Sequence, residues 1–272
     1  MVVRVLLAVN LLFCTAASVQ AAEASGSLAI AGNGPELHMM EKLARAFEKA
    51  HPRAYVDILW NEHSKPLDMV RSGQAHLAVA GKAEPELQAR QIAWDGIAIM
   101  VNLSNHTREV TKEQVADLFS GKIRMWSDLG GPETRVLLID RPRNRNIRDT
   151  FEEYLGIAGK IPDSAKVIGP DDKVIKTVAG TLPPLSAVTY ISMGQGLEAV
   201  TSGVAVRLLP LDKVEPEEPT VKDGRYKLRR PVMLLSRKEP NPIIDAFHTF
   251  ALSAEGQKII DTEGYTPFEK KP

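Results

Sequence analysis

The stretch RPRNRN at 141–146 sets three arginines one residue apart, between the run VLLID and the helical pattern NIRDTFEEYL, which begins at its last residue. A guanidinium presents its donors as a planar fork that matches the oxygens of a phosphate or a carboxylate. The first turn of a helix adds backbone N–H groups with no internal partner and the positive end of the helix dipole. Arg141, Arg143 and Arg145, with Asn144 and Asn146, therefore suit a small anion held at a strand-to-helix turn. At least one asparagine is also well placed to cap the helix. The plain alternative is that the arginines are solvated or pair with Asp140, Glu152 and Glu153. Arg141, directly at the strand end, fits that alternative least.

A second turn of the same kind is Asn33-Gly34-Pro35, where Pro35 fits the first helical position because its missing N–H costs nothing there. Patterns for catalysis are absent: there is no G-x-S-x-G elbow and no P-loop lysine, and GNGPEL lacks the third glycine of a dinucleotide loop. The six histidines show no H-x-x-x-H spacing. The chain reads as a binding protein rather than an enzyme, with no metal and no cofactor.

The elements that must position these turns alternate between strand and helix. SLAIA, AYVDILW and AHLAVAGK read as strands, separated by a helix with Leu37, Met40, Leu43, Ala44 and Phe47 on one face and by the short helix of KPLDMVRSG. DGIAIMVNLS is apolar enough to be buried on both faces. TKEQVADLFSG carries Thr111 and Gln114 at capping-box spacing, with Gly121 to end the helix. RVLLID, AVTYISM and RPVMLLSR supply further strands, and IIDAFHTFALSAEGQKIIDTEGY two closing helices. The Pro- and charge-rich segment VEPEEPTVKDGRYKLRRP reads as an irregular excursion. Strand–helix alternation of this kind predicts an α/β fold.

The 272 residues carry 34 Lys+Arg against 34 Asp+Glu, a balance that excludes a dedicated nucleic-acid or membrane-surface binder. Arg4, the short apolar run VLLAVNLLFCTAA and the small residues around Ala21 read as a secretory signal peptide over 1–22. The one cysteine, Cys14, lies inside it, so the mature chain holds no thiol or disulfide.

The segments DGIAIMVNLSNHTREVTKEQVADLFSGKIRMWSDLGGPETRVLLIDRP and DGRYKLRRPVMLLSRKEPNPIIDAFHTFALSAEGQKIIDTEGYTPF closely resemble the phosphate-binding proteins of bacterial ABC importers. The resemblance runs from about residue 28 to 268. It implies a two-lobed α/β clamp of the type II periplasmic-binding-protein fold: lobe 1 over 23–103 and 228–272, lobe 2 over 104–227, with crossings at GIAIMVN and RPVMLLS. It further implies a periplasmic, monomeric solute-binding protein that delivers phosphate or a related anion to an inner-membrane permease. A sensory module on the same clamp is the alternative.

The binding loops depart from the family pattern. The first, rich in Ser and Thr in the family, is Gly32-Asn33-Gly34-Pro35 here; the Gly-rich second loop is Trp60-Asn61-Glu62-His63-Ser64; the third ends in Gly81-Lys82. The fourth, Ser-Arg followed by Gly-Ser-Gly-Thr in the family, is Asp140-Arg141 followed by Asn144, Arg145 and Asn146. Only Arg141 matches a family ligand residue by identity. The resemblance thus nominates Arg141, Arg145, Asn144, Asn146, Asn33, Gly34, Lys82 and Ser64 as ligand residues. Longer donors in place of hydroxyls suit an anion bulkier than orthophosphate.

Overall fold

A computed structural model describes residues 24–61, 63–182 and 186–268. The signal segment with Cys14, and Glu62 of the second loop, lie outside them.

The chain starts as a Rossmann-like alternation: β1 (Ser25–Gly32), α1 (Leu37–Ala50), β2 (Arg53–Trp60), α2 (Pro66–Arg71) and β3 (Leu77–Ala80). β1 pairs in parallel with both β2 and β3. The apolar face read from the sequence is the buried one, with Met40, Leu43, Ala44 and Phe47 inside. α1 begins two residues later than proline placement predicts. Glu36, not a residue before Pro35, takes the N-cap, because Gly34 and Pro35 are used in the turn itself.

β4 (Gln88–Asn102) is longer than its apolar core suggests. Residues 88–96 pair with β9 (Arg229–Ser236), while residues 97–102 pair with β7 (Ala187–Ser192) and β8 (Val206–Leu209). One strand therefore belongs to two halves of a single sheet, ordered β2-β1-β3-β9-β4-β7-β5-β6. The second half adds α3 (Lys112–Phe119), β5 (Leu137–Asp140), α4 (Asn146–Leu155), β6 (Lys166–Val167), α5 (Asp171–Gly180), α6 (Met193–Thr201) and α7 (Glu218–Asp223). The reciprocal Thr111–Gln114 capping box opens α3, and Gly121, at φ 74°, follows its end. α7 corrects the reading of 214–231 as irregular: Glu217 and Thr220 form a capping box there, and Pro219 sits in the first turn, where it is tolerated.

β9 returns the chain, and α8 (Pro242–Ala251), α9 (Ala254–Thr262) and β10 (Thr266–Pro267) close the first half. Each half has its own apolar core. One packs Phe47, Phe247 and Phe250 under α1 and α8; the other stacks Phe151 on Tyr190 at 3.8 Å with Phe119 edge-on. Two cores joined by β4 and β9 make the mixed α/β, two-lobed architecture, with two crossing strands between lobes.

Candidate functional site

The turns flagged by sequence meet where the halves face each other. Asn33, after β1, donates through Nδ2 to the Asn144 carbonyl at 2.9 Å and to the Ser64 carbonyl at 3.2 Å. The first of these bonds spans the two halves. On one side of it lies a cavity of about 400 Å³, lined by Asn33, Gly81 and Lys82 from the first half, Asn144, Asn146, Asp149 and Thr150 from the second, and Arg230 on the crossing strand. On the other side Gly34, Trp60, Arg145 and Asp171 line a second opening.

The floor between the halves is a buried charge cluster that the sequence reading did not anticipate. Asp95 on β4 and Arg230 on β9 are opposite in register, and Arg230 reaches Asp95 Oδ2 through Nε at 3.0 Å and Nη2 at 2.8 Å. Nη2 also pairs with Glu36, and Ser192 Oγ donates to Asp95 Oδ1 at 2.7 Å. Glu36, Asp95 and Arg230 are all fully or almost fully buried. Burial pushes the Asp95 carboxyl above the usual carboxylate range against the pull of Arg230 and Ser192. Burial alone would depress the Arg230 guanidinium, but Glu36 and Asp95 outweigh it and hold it firmly charged. One signal was in the sequence: charge at the mouth of each of two apolar strands, Asp95 in WDGIAIM and Arg229-Arg230 in RRPVMLL.

Several polar atoms at this junction have no partner among the described residues. They are Arg230 Nη1, Glu36 Oε2 and both amide atoms of Asn146. Two glycines show what these atoms surround. A Cβ on Gly34 would stand 2.1 Å from Glu36 Oε2 and 3.1 Å from Asn146 Oδ1. One on Gly81 would stand 3.5 Å from Arg230 Nη1 and 3.6 Å from Thr150 Oγ1. Gly34 and Gly81 thus leave room for backbone to approach groups from the other half and from the crossing strand.

The remaining nominated residues divide. Lys82, Asn144 and Asn146 line the first cavity; Gly34 and Arg145 line the second; Asn33 lies between them. Arg145 also donates from Nη2 to the Gly169 carbonyl at 3.2 Å. It is the N-cap of α4, with no side-chain cap, and Asn146 is already the first helical residue, so neither asparagine caps that helix. Ser64 turns its hydroxyl back on its own loop, donating to Gly32 and Asn61 carbonyls at 3.0 and 2.8 Å, and lines neither cavity. Arg141 is fully buried behind the openings and pairs with Asp171 at the start of α5, while its Nε and Nη1 have no partner among the described residues. Arg143 is exposed, 3.8 Å from Asp163. The partner of Asp140 and Glu152 is a fourth arginine, Arg148, at 3.0 and 2.8 Å.

This geometry — two α/β halves, two crossing strands, buried donors at the junction — agrees with what known proteins share with the chain. The model of the PBP superfamily domain matches residues 17–255. The chain belongs to that superfamily. It groups there with the phosphate-binding proteins. Phosphate-binding protein PstS of Bacillus subtilis is 25% identical over 254 residues, covering 90% of this chain and 82% of that protein. Phosphate-binding protein PstS 2 of Streptococcus pneumoniae is 36% identical over 110 residues, 39% of this chain and 38% of that relative. A crystal structure from Clostridium perfringens, described as a phosphate ABC transporter substrate-binding protein with bound phosphate, superposes with a TM-score of 0.80 at 25% identity. It covers 90% of this chain and 100% of that one. Among the described residues, no helix is long and apolar enough to cross a membrane.

Proposed function

We propose that the protein is an exported solute-binding protein that captures a small oxyanion, phosphate or a bulkier relative, between its two halves and delivers it to an ABC permease. The observation that carries this reading is the set of unpartnered buried donors at the junction: Arg230 Nη1 and the Asn146 amide Nδ2, both on residues that line the first cavity. A buried donor without a partner costs about 1–3 kcal/mol, and an oxyanion shared between the halves would recover that cost. Asn33 and Asn144 supply a latch between the halves beside it. Relatives named as phosphate-binding proteins support the ligand class, and the signal-like N-terminus supports export.

The pocket loops favour a ligand other than orthophosphate. The Ser64 hydroxyl is engaged by the Gly32 and Asn61 carbonyls, and the Asn33 amide by the latch. A cavity of about 400 Å³ falls in the range that holds organic ligands. The test is a thermal-shift screen of the mature protein against phosphate, sulfate, phosphonates, organophosphates and carboxylates, since a ligand of the folded state raises the melting temperature. The reading expects a shift with at least one phosphorus oxyanion; a flat response to the whole panel would refute it.

A further inference from the structure

The first cavity has no excess of positive charge. Three buried arginines, Arg141, Arg148 and Arg230, already face carboxylates of the chain itself, while Arg145, also buried, lines the second opening rather than the first cavity. Arg230, which lines the first cavity, faces two, Glu36 and Asp95. At the mouth of that cavity Lys82 and Arg229 stand with Glu84, Asp149 and Glu153. Arg229 is itself engaged, its guanidinium 4.2 Å from the Trp94 ring centroid. Floor and mouth together hold three cationic groups against five carboxylates, an excess of negative charge in a partly desolvated space. A dianion entering there meets repulsion that low local dielectric strengthens.

The floor nevertheless offers an anion contact: Arg230 is fully buried, and its unpartnered Nη1 points to the space over Gly81, beside Thr150 Oγ1. Between floor and mouth the wall is apolar, with Leu67, Val79 and Pro231. We propose that the cavity selects a small zwitterion, with its oxyanion on Arg230 and Asn146 and its ammonium end between Asp149 and Glu153. Such a molecule satisfies the donor at the floor, lays a short carbon link along the apolar wall and offsets the excess carboxylates at the mouth. Burial pushes the Asp149 carboxyl up, with Lys82 opposing, which is the environment that an added cation relieves.

This inference rests on the oxyanion reading above, and the experiment separates the two. Titration calorimetry in phosphate-free buffer compares 2-aminoethylphosphonate, ethylphosphonate and orthophosphate on the mature protein. The amine-bearing ligand is expected to bind at least tenfold more tightly than ethylphosphonate. In Asp149→Asn/Glu153→Gln, two exposed positions whose change leaves the cores intact, that advantage should fall below about threefold, because the ammonium loses its partners while ethylphosphonate loses a repulsion. Equal or tighter binding of ethylphosphonate or orthophosphate by the native protein overturns the zwitterion assignment and leaves the oxyanion reading standing. An advantage that survives in the double variant also overturns it. Binding of none of the three overturns it too, and if the wider anion screen is also flat, the oxyanion reading falls with it.

Discussion

Asp95 and Arg230 face each other in register on the two strands that join the halves, and Arg230 grips one carboxylate oxygen with two donors at 3.0 and 2.8 Å. The pair ties the two crossing strands together between the lobes, so its loss should be felt in stability as well as in binding. Arg230→Ala leaves Glu36 and Asp95 buried without a counter-charge. Breaking a buried pair from one side costs about 3–5 kcal/mol, and urea unfolding should show a loss of that order.

The two carboxylates are not equivalent. Asp95 accepts from Arg230 and Ser192, whereas Glu36 holds one contact and keeps Oε2 unpartnered. Asp95→Asn is therefore expected to destabilise more than Glu36→Gln. Removing the Glu36 charge should also strengthen orthophosphate binding, because one of two floor carboxylates no longer opposes the dianion. Unfolding curves and calorimetric titration of both variants check the two orders.

Burial raises the carboxyls of Asp95 and Asp140 above the usual range. An acid whose folded pKa is raised binds more protons in the folded state, so its contribution is full below the ordinary carboxylate value and is lost as pH rises through the raised one. Stability carried by these groups should therefore decline with rising pH from about pH 4 upward. Asp140→Asn is expected to flatten that decline in urea unfolding measured at stepwise pH; an unchanged slope would contradict the assignment.

Gly194, in the first turn of α6, abuts Gly264 in the other half. A Cβ at 194 would stand 2.4 Å from the Gly264 carbonyl oxygen. Gly194→Ala therefore wedges the halves apart. Overpacking of this kind costs about 1–3 kcal/mol, so ligand affinity should fall about tenfold or more, with the far-ultraviolet circular dichroism unchanged.

Arg141 and Arg143 test the loop. Arg143 is 74% exposed with a distant partner, and Arg143→Ala should alter ligand affinity by less than about threefold, as expected of a solvated side chain. Arg141→Ala strands Asp171 and removes two unpartnered donors. Binding should be lost or fall at least a hundredfold, as a truncated buried charge pair implies.

The strands and most helices were legible because their signals are local. Phe47 and its partners recur at helical spacing, and Thr111 with Gln114 form a capping box. α6 was not read, since MGQGLEAVT opens with two glycines that weaken any helical pattern. The polar start of β4 was missed because its burial comes from pairing with β9 rather than from apolar residues. Residues of strand-to-helix turns, such as Asn33 after β1 and Asn146 at the start of α4, could be nominated from backbone chemistry. The Glu36–Asp95–Arg230 cluster could not, because its members are separated by up to 194 residues and meet only once the sheet is assembled. For the same reason the pairing of Arg141 with Asp171 was not legible, since Asp171 opens α5, a helix the sequence reading did not place.

The central claim is that unpartnered donors on Arg230 and Asn146 hold a phosphorus oxyanion between the halves. Ligand-observed phosphorus NMR tests it most directly, with orthophosphate and 2-aminoethylphosphonate as probes and Asn146→Ala as the control. The account predicts that native protein broadens or shifts the resonance of at least one probe, and that Asn146→Ala weakens the effect at least several-fold without loss of fold. Sharp, unshifted resonances for both probes with native protein, or an effect undiminished in Asn146→Ala, would contradict it.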